Sequence, residues 1–281
     1  MELWRAEVAQ GRQDVVPSID RFPRMLTRFD WEARSRVIER SGKLAGSVLV
    51  MARPSPEGAL ANVYAAGDDR SYLDMVRWGV SFGKAAGAAI VQVLVGKGLG
   101  SGLSGAGLQQ VRPWLRMDRD ITRGLPHNSA VEGYELADAQ TAAPGSWSEL
   151  FNQTFADHWR FVPRAEEEIV ADKSPELCLM AVSSGSRIPA AISIGELARY
   201  DGDARPQPIG LISSVGTLTG HRRRGLASWL VAELLQRLQA AGAPHASLYV
   251  DGMNPTRADE AYRKLGFEVT YEAEVWEATL P

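Results

Sequence analysis

What most constrains this chain is that it rhymes with itself. The stretches "KAAGAAIVQVLV" (84–95) and "QAAGAPHASLYV" (239–250) align without gaps, with five identities that include Ala-Ala-Gly-Ala. A pattern repeated at long separation decides architecture before local detail does. Upstream of each copy lies an amphipathic stretch, "SYLDMVRWGVSFGK" or "GLASWLVAELLQRLQ", and in the second Leu226, Leu230 and Leu234 recur on one helical face. Upstream again comes an apolar strand, "ALANVYAAG" or "PIGLISSVGTL", and downstream a small-residue turn and a further strand, "GAGLQQVRPWLRM" or "KLGFEVTYEAEVW". Gly87 and Gly242 stand where each helix must end in a left-handed residue.

Each half therefore reads strand, loop, helix, glycine, strand, loop, strand. A parallel strand–helix–strand unit implies a right-handed crossover with the helix packed on the sheet. The expected fold is α/β with a mixed sheet, built as two tandem domains over residues 1–125 and 126–281. The boundary falls in "RDITRGLPHNSAV" (119–131), which is polar and carries Gly, Pro and Asn.

Composition narrows the function classes. The chain is 45% apolar and 23% charged with a net charge of −3, an ordinary globular balance without the basic excess that nucleic acid demands. A single cysteine, Cys178, excludes an internal disulfide, and with four scattered histidines no metal site is expected. Cys178 lies in the apolar run "ELCLMAV" and reads as a small core residue. No basic start leads into an apolar stretch, and no apolar run reaches bilayer length. The expectation is a cytoplasmic protein with neither membrane nor nucleic-acid partner; oligomeric state leaves no signature.

Gly100, Gly102 and Gly105 in "GKGLGSGLSGAGL" (96–108) spell G-x-G-x-x-G after a buried-type strand. A dinucleotide motif must open a helix whose amides face the phosphates. Here further glycines and Pro113 follow instead, so a flexible loop is the better reading.

The chemistry concentrates in "SSVGTLTGHRRRGLASWL" (213–230). A strand ends near Leu218, Arg222, Arg223 and Arg224 follow a short turn, and a helix opens at about Gly225. Unpaired amides at that helix start, with the dipole behind them and three arginines beside them, make a cradle for an anion. Arg222-x-x-Gly225-x-Ala227 between a strand and an amphipathic helix resembles the pyrophosphate motif of the GNAT N-acetyltransferase superfamily. "NPTRADEAYRKLGF" (254–267) resembles that family's closing motif. The tandem layout and "ELFNQTFADHWRFVPRAEEEI" (149–169) look most like its mycothiol synthase branch.

The resemblance implies an acetyl-CoA-dependent N-acetyltransferase acting on a primary amine, with a small molecule as acceptor and no metal. The pantetheine arm would pair with the strand edge at Val215, Gly216 and Thr217. The pyrophosphate would lie on the amides of Arg222, Arg223, Arg224, Gly225, Leu226, Ala227 and Ser228, with Asn254 nearby. Tyr262 takes the place of the tyrosine that protonates the departing thiolate. A phenol of pKa about 10 stays protonated at neutral pH and can supply a thiol of pKa about 8.5. The step from Asn254 to Tyr262 is one residue longer than in the motif, which makes the Asn254 assignment the weaker one.

The base is open. Where mycothiol synthase-like sequences carry a Glu, this chain has Gly210 and Leu211, and Glu196 or Asp251 could serve, as could a chain of waters. His158 reads as a packing partner of Trp159, and His221 as exposed. In the first half Asp68 and Asp69 stand where the arginines and Gly225 would be, and Leu103 falls opposite Tyr262, so that domain is expected to be degenerate. Two other readings keep the fold: an acyl-CoA-binding or regulatory protein without turnover, and an acyltransferase using a longer acyl-CoA or a protein amine.

Overall fold

The computed structural model describes residues 1–17, 30–170, 173–201, 203 and 205–280. The N-terminal helix α1 (Glu2–Ala9) leads to a two-residue strand, β1 (Val16–Pro17), and then to β2 (Ser35–Arg40), β3 (Lys43–Arg53) and β4 (Leu60–Gly67). Helix α2 (Asp69–Ala85), β5 (Ile90–Gly96) and β6 (Gln109–Asp120) complete the first half. The second half runs β7 (Tyr134–Asp138), α3 (Ser146–Phe155), α4 (Glu166–Val170), β8 (Cys178–Ser183), β9 (Pro189–Ala198), β10 (Tyr200–Asp201) and β11 (Ile209–Thr217). It ends with α5 (Leu226–Ala240), β12 (His245–Asp251), α6 (Ala258–Lys264) and β13 (Glu268–Thr279).

Among the described residues, one eleven-stranded mixed sheet spans both halves, in the order β2-β3-β4-β5-β13-β6-β12-β11-β9-β8-β7. The rhyme is visible in it. β4 runs parallel to β5 and β11 parallel to β12, each pair joined through a crossover helix. The last strand of each half, however, lies between strands of the other. β13 is antiparallel to β5 on one side, Val275 facing Leu94, and to β6 on the other. β6 in turn pairs along its length with β12, Arg116 facing Tyr249. The halves are thus joined through backbone hydrogen bonds at the centre of the sheet.

The two crossover helices dock on the sheet by opposite means. On α2 the small residues are in the helix: a Cβ on Gly79 would lie 2.5 Å from Val63, and one on Gly83 2.7 Å from Val91. Under α5 they are in the strands, where a Cβ on Gly195 or Gly210 would lie 2.9 Å from Leu234 or Leu238. Either way, helix and sheet approach more closely than two side chains would allow. Leu226, Leu230, Leu234 and Leu238 are fully buried against Met117, Leu248 and Phe267. α3 covers the other face with Trp147, Leu150 and Phe151 over Cys178, Met180, Ile192 and Ile194.

On that second face, fully buried Arg116 of β6 anchors a charged network. It donates to Asp118 at 2.9 Å, Asp14 at 3.2 Å, Asp203 at 3.2 Å and Ser247 at 3.0 Å. Arg205 adds contacts to Asp118 at 2.5 Å and Asp203 at 2.7 Å, and Tyr249 donates to Asp14 at 2.5 Å. Burial pushes the Asp118 carboxyl up, but Arg116, the Ser247 and Thr270 hydroxyls and Arg205 outweigh it and hold the group below its ordinary range.

The glycine-rich segment is not a free loop. Leu103 and Leu108 are fully buried beneath it, and a Cβ on Gly100 would meet the Trp276 indole at 2.5 Å. Its glycines allow a ring to lie flat on the backbone, a packing role that the sequence pattern does not distinguish from phosphate binding.

Candidate functional site

β11 and β12 pair in parallel only from Ile209–Ile212 to His245–Leu248. Beyond Ile212 a bulge interrupts the pairing of β11 with β9, and Ser214, Val215, Gly216 and Thr217 remain bonded to β9 alone. Their other backbone edge faces the gap that opens toward Tyr249–Asp251. A bulge re-aims a strand and ends pairing, and this one releases three predicted residues, Val215, Gly216 and Thr217, to offer hydrogen bonds to an extended ligand. Gly216 admits α3 alongside: a Cβ there would lie 2.7 Å from Thr154 Oγ1 and 3.1 Å from Phe155.

The turn after this strand positions the cradle. Thr219–His221 form one tight turn, Arg223 has φ +65° and Gly225 φ +89°, and α5 begins at Leu226. The first helical bond to the backbone is Trp229 N–H to Gly225 O at 2.9 Å. Among the described residues the amides of Arg223, Arg224, Gly225, Leu226, Ala227 and Ser228 donate to no backbone carbonyl, and no side chain caps α5. The Arg222 amide is different, since it closes the turn on Thr219 O at 3.3 Å. Its side chain instead braces the site, donating to Thr217 O at 3.1 Å and to Asp157 at 3.2 Å. Arg223, Arg224 and Gly225 are exposed. A run of unpaired amides at a helix start beside exposed arginines holds a dianionic phosphate group well.

His221 is half-buried rather than exposed. Its Nδ1 lies 2.7 Å from the Tyr134 hydroxyl, which also accepts from Arg224 at 3.1 Å. A tyrosine some 87 positions away in sequence thus orders the arginine turn.

Tyr262, on α6, is half-buried against the α5 core and meets Phe267 edge-on at 6.1 Å. Its hydroxyl makes no hydrogen bond among the described residues, and burial pushes its pKa up. It is therefore a phenol that stays protonated at neutral pH. The Asn254 side-chain oxygen Oδ1 is occupied locally, accepting from Thr256 N–H at 2.9 Å and from the Thr256 hydroxyl at 2.7 Å.

Both carboxylates named as bases are in ion pairs. Glu196 faces the α3 side of the sheet, opposite Leu211, with Lys173 Nζ at 3.4 Å. Asp251 is bonded to Arg112 and accepts from Met253 N–H at 2.9 Å. Arg112 comes from β6, the strand lent by the first half, and its guanidinium lies 3.8 Å from the centre of the Trp159 ring. No local motif marks this group, because its members meet only through the strand exchange. Cys178 is fully buried with its thiol pushed up to about 11 by burial, as an inert core residue should be.

The corresponding gap in the first half is filled by its own chain. β4 and β5 pair only from Leu60–Val63 to Ile90–Val93 and then diverge. Into that gap runs the segment after α1. Gly96 N–H donates to Arg12 O at 3.0 Å, and Gln13 reaches Leu94 O at 3.2 Å. Buried Glu7 accepts from Gly67 N–H at 2.9 Å and from Arg12 Nε at 2.6 Å, while Arg12 donates to Gly67 O at 2.8 Å. Gly96 has to be glycine here, since a Cβ would sit 1.9 Å from Gly11 O. The start of α2 is closed too: Asp68 caps it, accepting from Ser71 N–H at 2.8 Å, and Asp69 pairs with Arg12 at 2.8 Å.

Among the described residues no group of His, Cys, Asp and Glu side chains converges as a metal centre requires, and no helix is long and apolar enough to cross a membrane.

Residues 196–277 match the model of the FR47-like protein family, and no curated protein matches the chain. Among solved structures, the GCN5-related N-acetyltransferase from Sphaerobacter thermophilus superposes with a TM-score of 0.75 at 20% identity, covering 94% of this chain and 86% of that one. A tandem GNAT protein from the clavulanic acid biosynthesis pathway gives 0.67 at 14% identity, covering 99% and 92%. A glucosamine N-acetyltransferase region of a fungal multi-domain β-N-acetylglucosaminidase gives 0.75 at 13% identity, covering 98% of this chain and 36% of that one. The fold of this chain is that of the GCN5-related N-acetyltransferases.

Proposed function

We propose that this chain, a bearer of the GCN5-related N-acetyltransferase fold, transfers an acetyl group from acetyl-CoA to a primary amine of a small molecule, at a single site in its second half. The observation that carries this reading is the pairing of a free strand edge at Val215–Thr217 with open amides from Arg223 to Ser228. One offers an extended amide arm its hydrogen bonds, and the other receives a pyrophosphate. Residues 1–125 then form a domain that retains the plan without the site, and 126–281 the catalytic one, completed by β6.

In this reading the residues do little covalent work. The cradle fixes the nucleotide end, so that the thioester is presented in one orientation and the encounter with the amine becomes effectively intramolecular. A backbone amide of the released strand meets the developing oxyanion. Tyr262 gives its proton to the thiolate that leaves. Arg222, engaged with Thr217 and Asp157, braces strand, turn and α3 around the cofactor arm.

A second reading, an acyl-CoA-binding protein without turnover, draws support from the ion pairs that occupy Glu196 and Asp251. Coenzyme A release from acetyl-CoA, followed over a panel of small amines, amino sugars and peptides with free N-termini, separates the two. Transfer to a small amine, cut about 100-fold in Tyr262→Phe with acetyl-CoA affinity within about twofold, supports the first. Acetyl-CoA binding with no release above hydrolysis across the panel supports the second.

A further inference from the structure

We propose that His158 takes the proton from the acceptor amine, an inference that rests on the acyltransferase reading above. His158 does not lie on α3; the helix ends at Phe155, and the residue belongs to the turn that follows. That turn is fixed at three points. Asp157 is bonded to Arg222 of the cradle. Trp159 lies under Arg112, which holds Asp251 at the end of β12. Arg160, at φ +54°, is bidentate on buried Glu277 of the exchanged strand, at 3.0 and 2.8 Å, and also pairs with Glu57.

Between these anchors the imidazole lies near Arg222, from the turn that follows β11, and Asp251, at the end of β12. It meets the Phe155 ring edge-on at 4.8 Å, and Phe155 in turn lies against Gly216 of the free strand edge. Its ring nitrogens make no hydrogen bond among the described residues. The charged groups facing it are Asp157 on its own turn, Arg222 from the cradle and Asp251 from β12. Burial and Arg222 favour the neutral ring, Asp157 and Asp251 the charged one, and burial wins, so the pKa falls below its ordinary value. A neutral imidazole at pH 7 with an open nitrogen is a ready proton acceptor.

The step balances as follows. His158 accepts one proton from the ammonium, and the freed lone pair forms the C–N bond to the thioester carbon as the C–S bond breaks. Tyr262 protonates the departing thiolate. The second nitrogen proton returns to Tyr262 through water, and His158 releases its proton to solvent, giving amide, coenzyme A and one net proton.

Bromoacetyl-CoA tests this without knowledge of the acceptor, because its reactive carbon sits where the acetyl group would. The expected result is one adduct, mapped by peptide mass to His158, formed as the imidazole displaces bromide. Excess acetyl-CoA should suppress it, and its rate should rise with pH through a midpoint below about 6.5. His158→Gln should bind acetyl-CoA without being labelled and should release coenzyme A about 100-fold more slowly with the responsive amine, with partial rescue by added imidazole. Competition with acetyl-CoA while His158 stays unmodified, or an unchanged turnover in His158→Gln, overturns the inference alone. Failure of the reagent to compete, with no acetyl-CoA binding, overturns the acyltransferase reading and the inference together.

Discussion

The two halves diverge a strand pair in the same way, yet only one leaves the gap open. In the second half the gap between β11 and β12 is bounded by a free strand edge and uncapped amides. In the first, Arg12 and Gln13 occupy the β5 edge, buried Glu7 ties them to Gly67, and Asp68 satisfies the start of α2. The lesson is that a fold supplies a cleft and local chemistry decides its tenant. The carboxylates of Asp68 and Glu7 and the main chain at Arg12 do in one half what a ligand would do in the other.

The comparison also explains why the first half persists. Its β6 brings Arg112 to Asp251 and Arg116 to the central network, and its β5 holds one side of β13. Losing the first half would leave β12 with β11 as its one sheet neighbour and would remove the guanidinium under which Trp159 packs.

The sharpest way to break the contrast is to spoil the open cradle. Gly225→Val puts a β-branched side chain at φ +89° among the free amides, and acetyl-CoA affinity should fall more than about 100-fold by calorimetry while the far-ultraviolet circular dichroism spectrum stays unchanged. Next in size is the weld between halves. Arg116→Met leaves Asp14 without its guanidinium and Asp118 and Asp203 with Arg205 alone, and the loss of stability in urea should be about 3 kcal/mol or more. Tryptophans from both halves should report one coincident transition in the wild-type chain, since β6 and β13 cross between them; two separated transitions would count against the weld.

Acid should act through the same network. Because the Asp118 pKa is lowered by folding, its contribution is present above the ordinary carboxylate pKa of about 3.9 and is lost as pH falls through the folded value. Wild-type stability should therefore decline below about pH 4, and Asp118→Asn should be less stable at pH 7 with a shallower decline. The smallest effect belongs to the closed half. Asp68→Gly exposes the Ser71 amide but leaves Arg12 in the gap, so stability should drop slightly and no second acetyl-CoA site should appear.

Much of this was legible in the sequence. The repeat placed β4, α2, β5 and β6 against β11, α5, β12 and β13, because periodicity reports which face of an element is buried. The three-arginine turn and Gly225 pointed to a helix start, and Tyr262 followed from its motif. The partners were not legible. β6 and β13 carry similar alternation, and alternation names a face without naming the neighbouring strand, so the exchange left no trace. Arg112 and Asp251 are 139 positions apart, and neither resembles half of an ion pair when read alone. The plug was hidden for the same reason: Glu7 and Arg12 look like ordinary surface charges on a short amphipathic helix until Gly67 and Gly96 are brought beside them. His158 looked like a packing residue because its only sequence neighbour of note was Trp159.

The most direct test is calorimetric titration of the whole chain with acetyl-CoA, reading stoichiometry before affinity, with Gly225→Val beside it. The account predicts one site per chain, lost in the variant. Two sites, or one that survives Gly225→Val, would contradict it, because the first half would then hold the ligand despite Glu7, Arg12 and Asp68; no binding at all would remove the cradle from the function altogether.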